Sequence, residues 1–283
     1  MKIIKKVLPR DHNLFLFGDT HRGAKTFHEN GWKTFCDMML KPYKGCKHNF
    51  GVDHGDVTEC IPIEDYRFDR KTTDGMILSQ IDQAIEDREP IKDNILVILN
   101  GNHTERMSLK LGDDIVKRMC DELGVTYGTY ATVIEYFDTS GILMYRHFAH
   151  HGYGTIHSTC DDIKRRKANM NLSLKRKLKD KFGEAILMSL GHTHKLIICK
   201  PEKELYMKVV DGNLKGAYTS PKKYDGYIHP DHRWYVNTGS FFKLYGEGVS
   251  TYAEKFGYDP IELGFAIAVV RDGKIEDIDK IVL

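Results

Sequence analysis

The apolar run Ala185-Ile186-Leu187-Met188-Ser189-Leu190 passes directly into Gly191-His192-Thr193-His194, and the chain repeats that arrangement at four other places. Asn13-Leu14-Phe15-Leu16-Phe17 ends at Gly18-Asp19-Thr20-His21-Arg22. Phe50-Gly51-Val52 leads into Asp53-His54-Gly55-Asp56, with Glu59 three residues further on. Ile95-Leu96-Val97-Ile98-Leu99 ends at Asn100-Gly101-Asn102-His103, and residues 142–148 end beside His150-His151-Gly152. Short apolar runs bounded by Gly and polar residues read as buried strands. Strands that keep delivering His, Asp and Asn to loops point to an α/β fold, because open α/β sheets carry their chemistry at the carboxyl ends of strands. In extended backbone, residues i and i+2 face the same side. The pairs Asp19/His21 and His192/His194 are therefore expected to aim at one point. Taken singly, each loop reads equally well as a turn or a cap. Taken together, imidazole, carboxylate and amide oxygen without thiolate suit a divalent metal such as Mn, Fe or Zn. Asp53 and His54 compete with Asp56 as donors, and His150 competes with His151.

The connecting segments fill in the rest. Residues 24–40, 76–89 and 106–123 read as helices, the second stopped by Pro90. Residues 132–137 and 142–148 read as a hairpin, as do the two halves of 264–283 across Asp272-Gly273. Residues 196–199 and 205–210 read as paired strands, and 212–232 as a loop insertion. Residues 160–182 form a basic helical segment, with Lys164, Arg165, Arg166 and Lys167 followed by Lys175, Arg176, Lys177, Lys179 and Lys181. That block is either a solvated helix face or an electrostatic strip for a polyanion. The formal charge of +2 over 283 residues does not by itself imply nucleic acid. Six scattered cysteines without a Cys-x-x-Cys pair read as reduced thiols, which points to the cytoplasm. No secretory leader and no apolar run of the roughly 20 residues needed for a membrane span is expected. The chain is read as one domain, 1–283.

The ordered set Asp-x-His, Gly-Asp-x-x-Glu, Gly-Asn-His, His-Gly and Gly-His-x-His resembles the motifs of the calcineurin-like metallophosphoesterases, of the compact type found in bacteria and phages. The likeness runs from Asp19 to His194, and Asn237-Thr238-Gly239-Ser240 extends it. The resemblance implies a four-layer α/β/β/α sandwich of two mixed β-sheets with a di-metal centre at the strand ends. Asp19, His21, Asp56 and His194 would hold one ion, and Asp56, Asn102, His151 and His192 the other. His103 would be the general acid, oriented by Glu59. Arg22 and Arg106, which flank the motifs, read either as ligands of non-bridging phosphate oxygens or as partners in surface salt bridges. The implied cofactors are two divalent ions, Mn²⁺ foremost, with Fe or Zn as alternatives. The implied activity is phosphoester hydrolysis through a hydroxide shared by the metals, with a phosphodiester in DNA, RNA or a nucleotide as substrate. The alternatives are a phosphomonoesterase acting on a metabolite, nucleotide or phosphoprotein, and a non-catalytic metal-binding scaffold.

Overall fold

The computed structural model describes residues 1–65, 68–70, 72–73, 75–220, 226–249 and 251–283. In chain order its elements are β1 (Lys2–Val7), β2 (His12–Phe17), α1 (Glu29–Leu40), β3 (Asn49–Asp53), α2 (Ile77–Arg88), β4 (Ile95–Ile98) and α3 (Asn102–Leu111). Then come α4 (Ile115–Leu123), β5 (Thr126–Tyr127), β6 (Ala131–Phe137), β7 (Leu143–His150), α5 (Ile163–Leu178), β8 (Leu187–Leu190) and β9 (Leu196–Cys199). The chain ends with β10 (Leu205–Val210), β11 (Asn213–Tyr218), β12 (Trp234–Thr238), α6 (Tyr252–Lys255), β13 (Gly264–Arg271) and β14 (Lys274–Val282).

This is a mixed α/β protein built on two six-stranded sheets. One has the order β1-β6-β7-β8-β12-β9 and the other β14-β13-β2-β3-β4-β5. In the second sheet β2, β3 and β4 are adjacent and parallel. In the first, β7 and β8 are adjacent and parallel. Neighbouring parallel strands end side by side, so the loops after β2, β3 and β4 emerge together, and so do those after β7 and β8. These are the five loops that carry the histidines and carboxylates.

Strand periodicity explains why the runs are apolar without a break. Leu14 and Leu16 join a core cluster that contains Val52 from their own sheet and Ile134, Leu187 and Val236 from the other. Phe15 and Phe17, on the opposite face of β2, pack with Trp32, Phe35 and Met39 of α1 and with Val116 and Met119 of α4. A third cluster joins Val133, Met188 and Tyr235 of the first sheet to Leu174 and Leu178 of α5. The central strands β2, β4, β8 and β12 are therefore buried along their whole length, and alternation disappears from them.

Four segment readings need correction. Residues 24–28 are not helical. Ala24 bridges Thr73 and Phe27 bridges Phe242, so their backbone is engaged in pairing and α1 starts at Glu29. The helix expected at 106–123 is two helices, broken at Gly112 (φ 68°) and restarted by Asp114, whose carboxylate accepts from Lys117 N. The first of them begins at Asn102, so Asn102 and His103 sit in a first helical turn. Residues 196–199 and 205–210 do not pair with each other. The buried β9 joins the first sheet beside β12, while the exposed β10 pairs with β11. The segment read as a loop at 212–232 thus contains a strand at 213–218, and its residues 221–225 lie outside the described residues. Among the described residues no helix is long and apolar enough to cross a membrane.

Candidate metal centre

The loops after β2 and β3 are pinned from beneath by Arg88, the last residue of α2 and only 1 % exposed. Its guanidinium donates to Asp53 Oδ2 from Nε (3.0 Å) and Nη2 (2.8 Å), and to Thr20 Oγ1 (3.1 Å). Asp53 Oδ1 accepts from Gly55 N, and Thr20 Oγ1 donates to Val57 O. Asp53 is thereby committed to a structural ion pair and leaves the donor role to Asp56. His54 is likewise committed, to a buried chain in which its Nε2 lies 2.6 Å from Ser189 Oγ and His147 Nε2 lies 2.5 Å from the same oxygen. We predict that Arg88→Ala leaves the Asp53 carboxylate buried and unpaired and costs about 3–5 kcal/mol. Denaturant unfolding of the metal-free protein measures it, and a loss below about 1 kcal/mol contradicts the pinning role.

Glycine permits the closest approach between two of these loops. A Cβ on Gly101 would stand 2.1 Å from Asp56 Oδ1 and 2.3 Å from Asp56 N. This gap lets Asn102 come down beside Asp56.

The expected donors are brought together. Asp19 Oδ2 accepts from His192 N (2.8 Å), and Asp56 Oδ1 accepts from His103 N (3.0 Å). Each carboxylate is therefore tied by a backbone N–H of another loop and turns its second oxygen to the imidazoles. Asp19 Oδ1 lies 3.5 Å from His194 Nε2 and 4.0 Å from His21 Nε2. Asp56 Oδ2 lies 3.4 Å from His151 Nε2 and 3.9 Å from His21 Nε2. Asn102 Oδ1 lies 2.7 Å from His192 Nδ1 and 3.0 Å from His151 Nε2. His21 Nε2 and His194 Nε2 face each other at 3.1 Å. Donors bound at about 2.1 Å to one first-row ion stand about 3.0–3.4 Å apart on neighbouring vertices, so these separations suit coordination. Among the described residues three donor groups are close enough to hold an ion: Asp19/His21/His194, Asp56/His151/His192 and His21/Glu59/His103.

Two further observations fit a cation. Asp19 Oδ1 is buried with no hydrogen-bond partner, an arrangement that costs free energy unless something positive meets it. And five of the seven expected ligands have positive φ: Asp19 (50°), His21 (49°), Asp56 (47°), His192 (65°) and His194 (54°). A left-handed L-residue costs about 1–2 kcal/mol, and such outliers cluster at functional sites. They also revise the expectation about spacing. The i, i+2 donors converge through paired left-handed residues in a tight loop and not through extended backbone.

The electrostatics agree. Burial pushes both carboxyls up, yet the His194 contact holds Asp19 below the usual range and His151 with His103 holds Asp56 well below it. Burial disfavours a charged His151, but Asp56, Asp19 and the His54 carbonyl outweigh it and lift its pKa to about 9. The donor cluster thus demands positive charge at its centre. Burial lowers His192 to about 4, which suits a neutral donor ring.

The remaining expected residues divide. His151 stands in the cluster, while His150 turns away to accept from Gly152 N. Glu59 meets both histidines, in a different way from the one expected. Its carboxylate is 2.6 Å from His21 Nδ1 and 3.8 Å from His103 Nδ1, and its backbone carbonyl is 2.6 Å from His103 Nδ1. The carbonyl can only accept, so His103 Nδ1 carries hydrogen and its Nε2 is the atom able to exchange a proton with the cavity. Burial lowers the His103 pKa against the pull of Asp56 and Glu59. Arg22 is paired with Asp87 at 3.1 Å and lies over the Phe27 ring. Arg106 is paired with Asp65 at 2.6 Å. Neither is among the residues lining the cavity of about 640 Å³ over the donor cluster.

The segment Asn237-Thr238-Gly239-Ser240 that extends the likeness braces two of these loops: Ser240 Oγ and the adjacent Phe241 N both donate to the Asp19 carbonyl, and Asn237 Nδ2 donates to Thr193 Oγ1 between the two histidines. Leu244, Phe256, Tyr258 and Ile261 line the cavity. Phe256-Gly257-Tyr258-Asp259-Pro260 carries the Gly and Pro of a loop, but nothing in that pattern says where the loop packs.

No family model matches the chain, and no curated protein matches it. Among solved structures it is similar to the nuclease MPE of Pseudomonas putida, at 10% identity and a TM-score of 0.31, over 95% of this chain and 87% of that one. A likeness this weak leaves the functional reading to the site itself.

Proposed function

We propose that the protein is a metal-dependent phosphoester hydrolase of the calcineurin-like kind, acting on phosphodiesters of nucleic acid or nucleotides. The observation that carries it is the gathering of Asp19, His21 and His194 in one donor group and of Asp56, His151 and His192 in another, with Asn102 Oδ1 beside the second and the buried Asp19 Oδ1 without a hydrogen-bond donor in the first. The three core clusters support a four-layer sandwich in a single domain. Asp19, His21 and His194 would hold one divalent ion, Asn102, His151 and His192 the other, with Asp56 shared. When bound, such a pair supplies an acidified water and neutralises phosphoryl charge.

The chain's own residues do the rest. Glu59 holds His21 by Nδ1 and the His54 carbonyl holds His151 by Nδ1, which fixes both rings with Nε2 toward the carboxylates. His103, fixed through Nδ1, gives its Nε2 proton to the leaving oxygen as the P–O bond breaks and water adds to phosphorus. A diester is favoured because the basic α5 abuts the cavity: Lys177 Nζ donates to Tyr153 O, next to Gly154 and Thr155 of the lining. The companion basic and aromatic stretch around 212–235 includes residues 221–225, outside the described residues. Metal analysis of the purified protein, paired with bis-p-nitrophenyl phosphate, p-nitrophenyl phosphate, DNA and RNA in Mn²⁺, tests the reading. Chelator-sensitive diester cleavage is expected. Faster monoester turnover selects the monoesterase, and no turnover of any ester ends the proposal.

A further inference from the structure

The cavity over the donor cluster is lined by two unlike sets of residues: Asp56, Asn102, His103, His192 and His194 are polar and metal-ligating in kind, while Leu244, Phe256, Tyr258 and Ile261 are apolar or aromatic. Phe256 and Tyr258 are 62% and 50% exposed, and their rings stack with centroids 6.1 Å apart at 27°. Both follow α6, and the segment is tied back to it: Gly257 N donates to Glu254 O, Tyr258 N donates to Ala253 O, the Tyr258 carbonyl accepts from Tyr245 Oη, and Ala253 is fully buried with Leu244. Two large rings left exposed on such a segment cost apolar hydration that a bound planar group would recover. Lys195, directly after His194 in the chain, also lines the cavity.

A ligand that fills this cavity needs a phosphoryl group for the first set and a flat, apolar-faced group for the second, within the span of one cavity. Simple metabolite phosphates lack the second feature. A base-paired duplex hides base faces within its stack. A nucleotide in a single strand has both, and aromatic rings beside a basic track are the usual means of holding one without reading its sequence.

We propose that the Phe256/Tyr258 wall is a base-stacking subsite, which makes single-stranded nucleic acid or a nucleoside diester the substrate class. The proposal rests on the phosphodiesterase reading above. Its test compares thymidine 5′-(p-nitrophenyl phosphate) with methyl p-nitrophenyl phosphate in Mn²⁺. The leaving group is the same, so the difference isolates the nucleoside. The wild-type protein is expected to prefer the nucleoside ester. Phe256→Ala/Tyr258→Ala is expected to lose roughly 10- to 100-fold in kcat/KM on it, mostly through KM, while changing less than about twofold on the methyl ester. Phe256→Tyr and Tyr258→Phe retain the preference.

A second readout needs no turnover. Chelated protein should quench a 2-aminopurine-labelled single strand, with roughly tenfold weaker binding in the double Ala variant. Equal losses on both esters, or no wild-type preference and no quenching, overturn the subsite while leaving diesterase activity standing. Absence of turnover on both esters overturns the diesterase reading, and the subsite with it.

Discussion

Asp56→Asn is expected to leave the purified protein with fewer than two bound divalent ions per chain and to cut diester turnover by about 10³-fold or more, several kcal/mol of transition-state stabilisation. The substitution keeps volume and removes one oxygen and one negative charge from the residue that the proposal assigns to both ions. Asp56 is 1 % exposed, and its Oδ2 stands within 4 Å of both His21 and His151. An amide there offers one carbonyl oxygen, and its NH₂ group repels a cation. Thermal unfolding gives a readout independent of activity. Mn²⁺ at 100 times its Kd should stabilise the wild-type protein by about 2.7 kcal/mol, and this gain should largely vanish in Asp56→Asn. Retained Mn²⁺ stabilisation in the variant would remove Asp56 from the centre.

His103→Asn should separate proton transfer from metal binding. Turnover on a poor leaving group, such as an alkyl ester or DNA, should fall about 10²- to 10⁴-fold. Bound metal per chain should stay at the wild-type value, because all seven proposed ligands remain and the backbone N–H of residue 103 still donates to Asp56; the His103 ring itself meets His21 at 4.7 Å and Glu59. The loss should shrink on p-nitrophenyl esters, whose leaving oxygen needs little help from a proton. Equal losses on both leaving groups would mean that His103 positions substrate and does not deliver a proton.

Much of this was legible before any coordinates. The apolar strands ending in Asp19, Asp56, Asn102, His151 and His194 are local patterns, and local patterns survive in a single sequence. What a sequence cannot carry is neighbourhood. That β2, β3 and β4 lie parallel and adjacent, with β7 and β8 likewise, is set by long-range pairing. The left-handed φ values of Asp19, His21, His192 and His194 were equally hidden, since Asp and His signal them only weakly. Arg88 looked like one more charge near a helix end, and its role exists only because α2 ends beneath Asp53 and Thr20. For Arg22 and Arg106 the sequence leaves phosphate binding and a salt bridge equally open, since only the fold brings Asp87 and Asp65 to them.

The most direct measurement is a crystal structure of the protein grown with Mn²⁺, with anomalous differences collected at the manganese edge. The account predicts two peaks about 3.5–4 Å apart, one beside Asp19, His21 and His194, the other beside Asn102, His151 and His192, both within reach of Asp56. A single peak, or strong peaks elsewhere with none between those side chains, would contradict it.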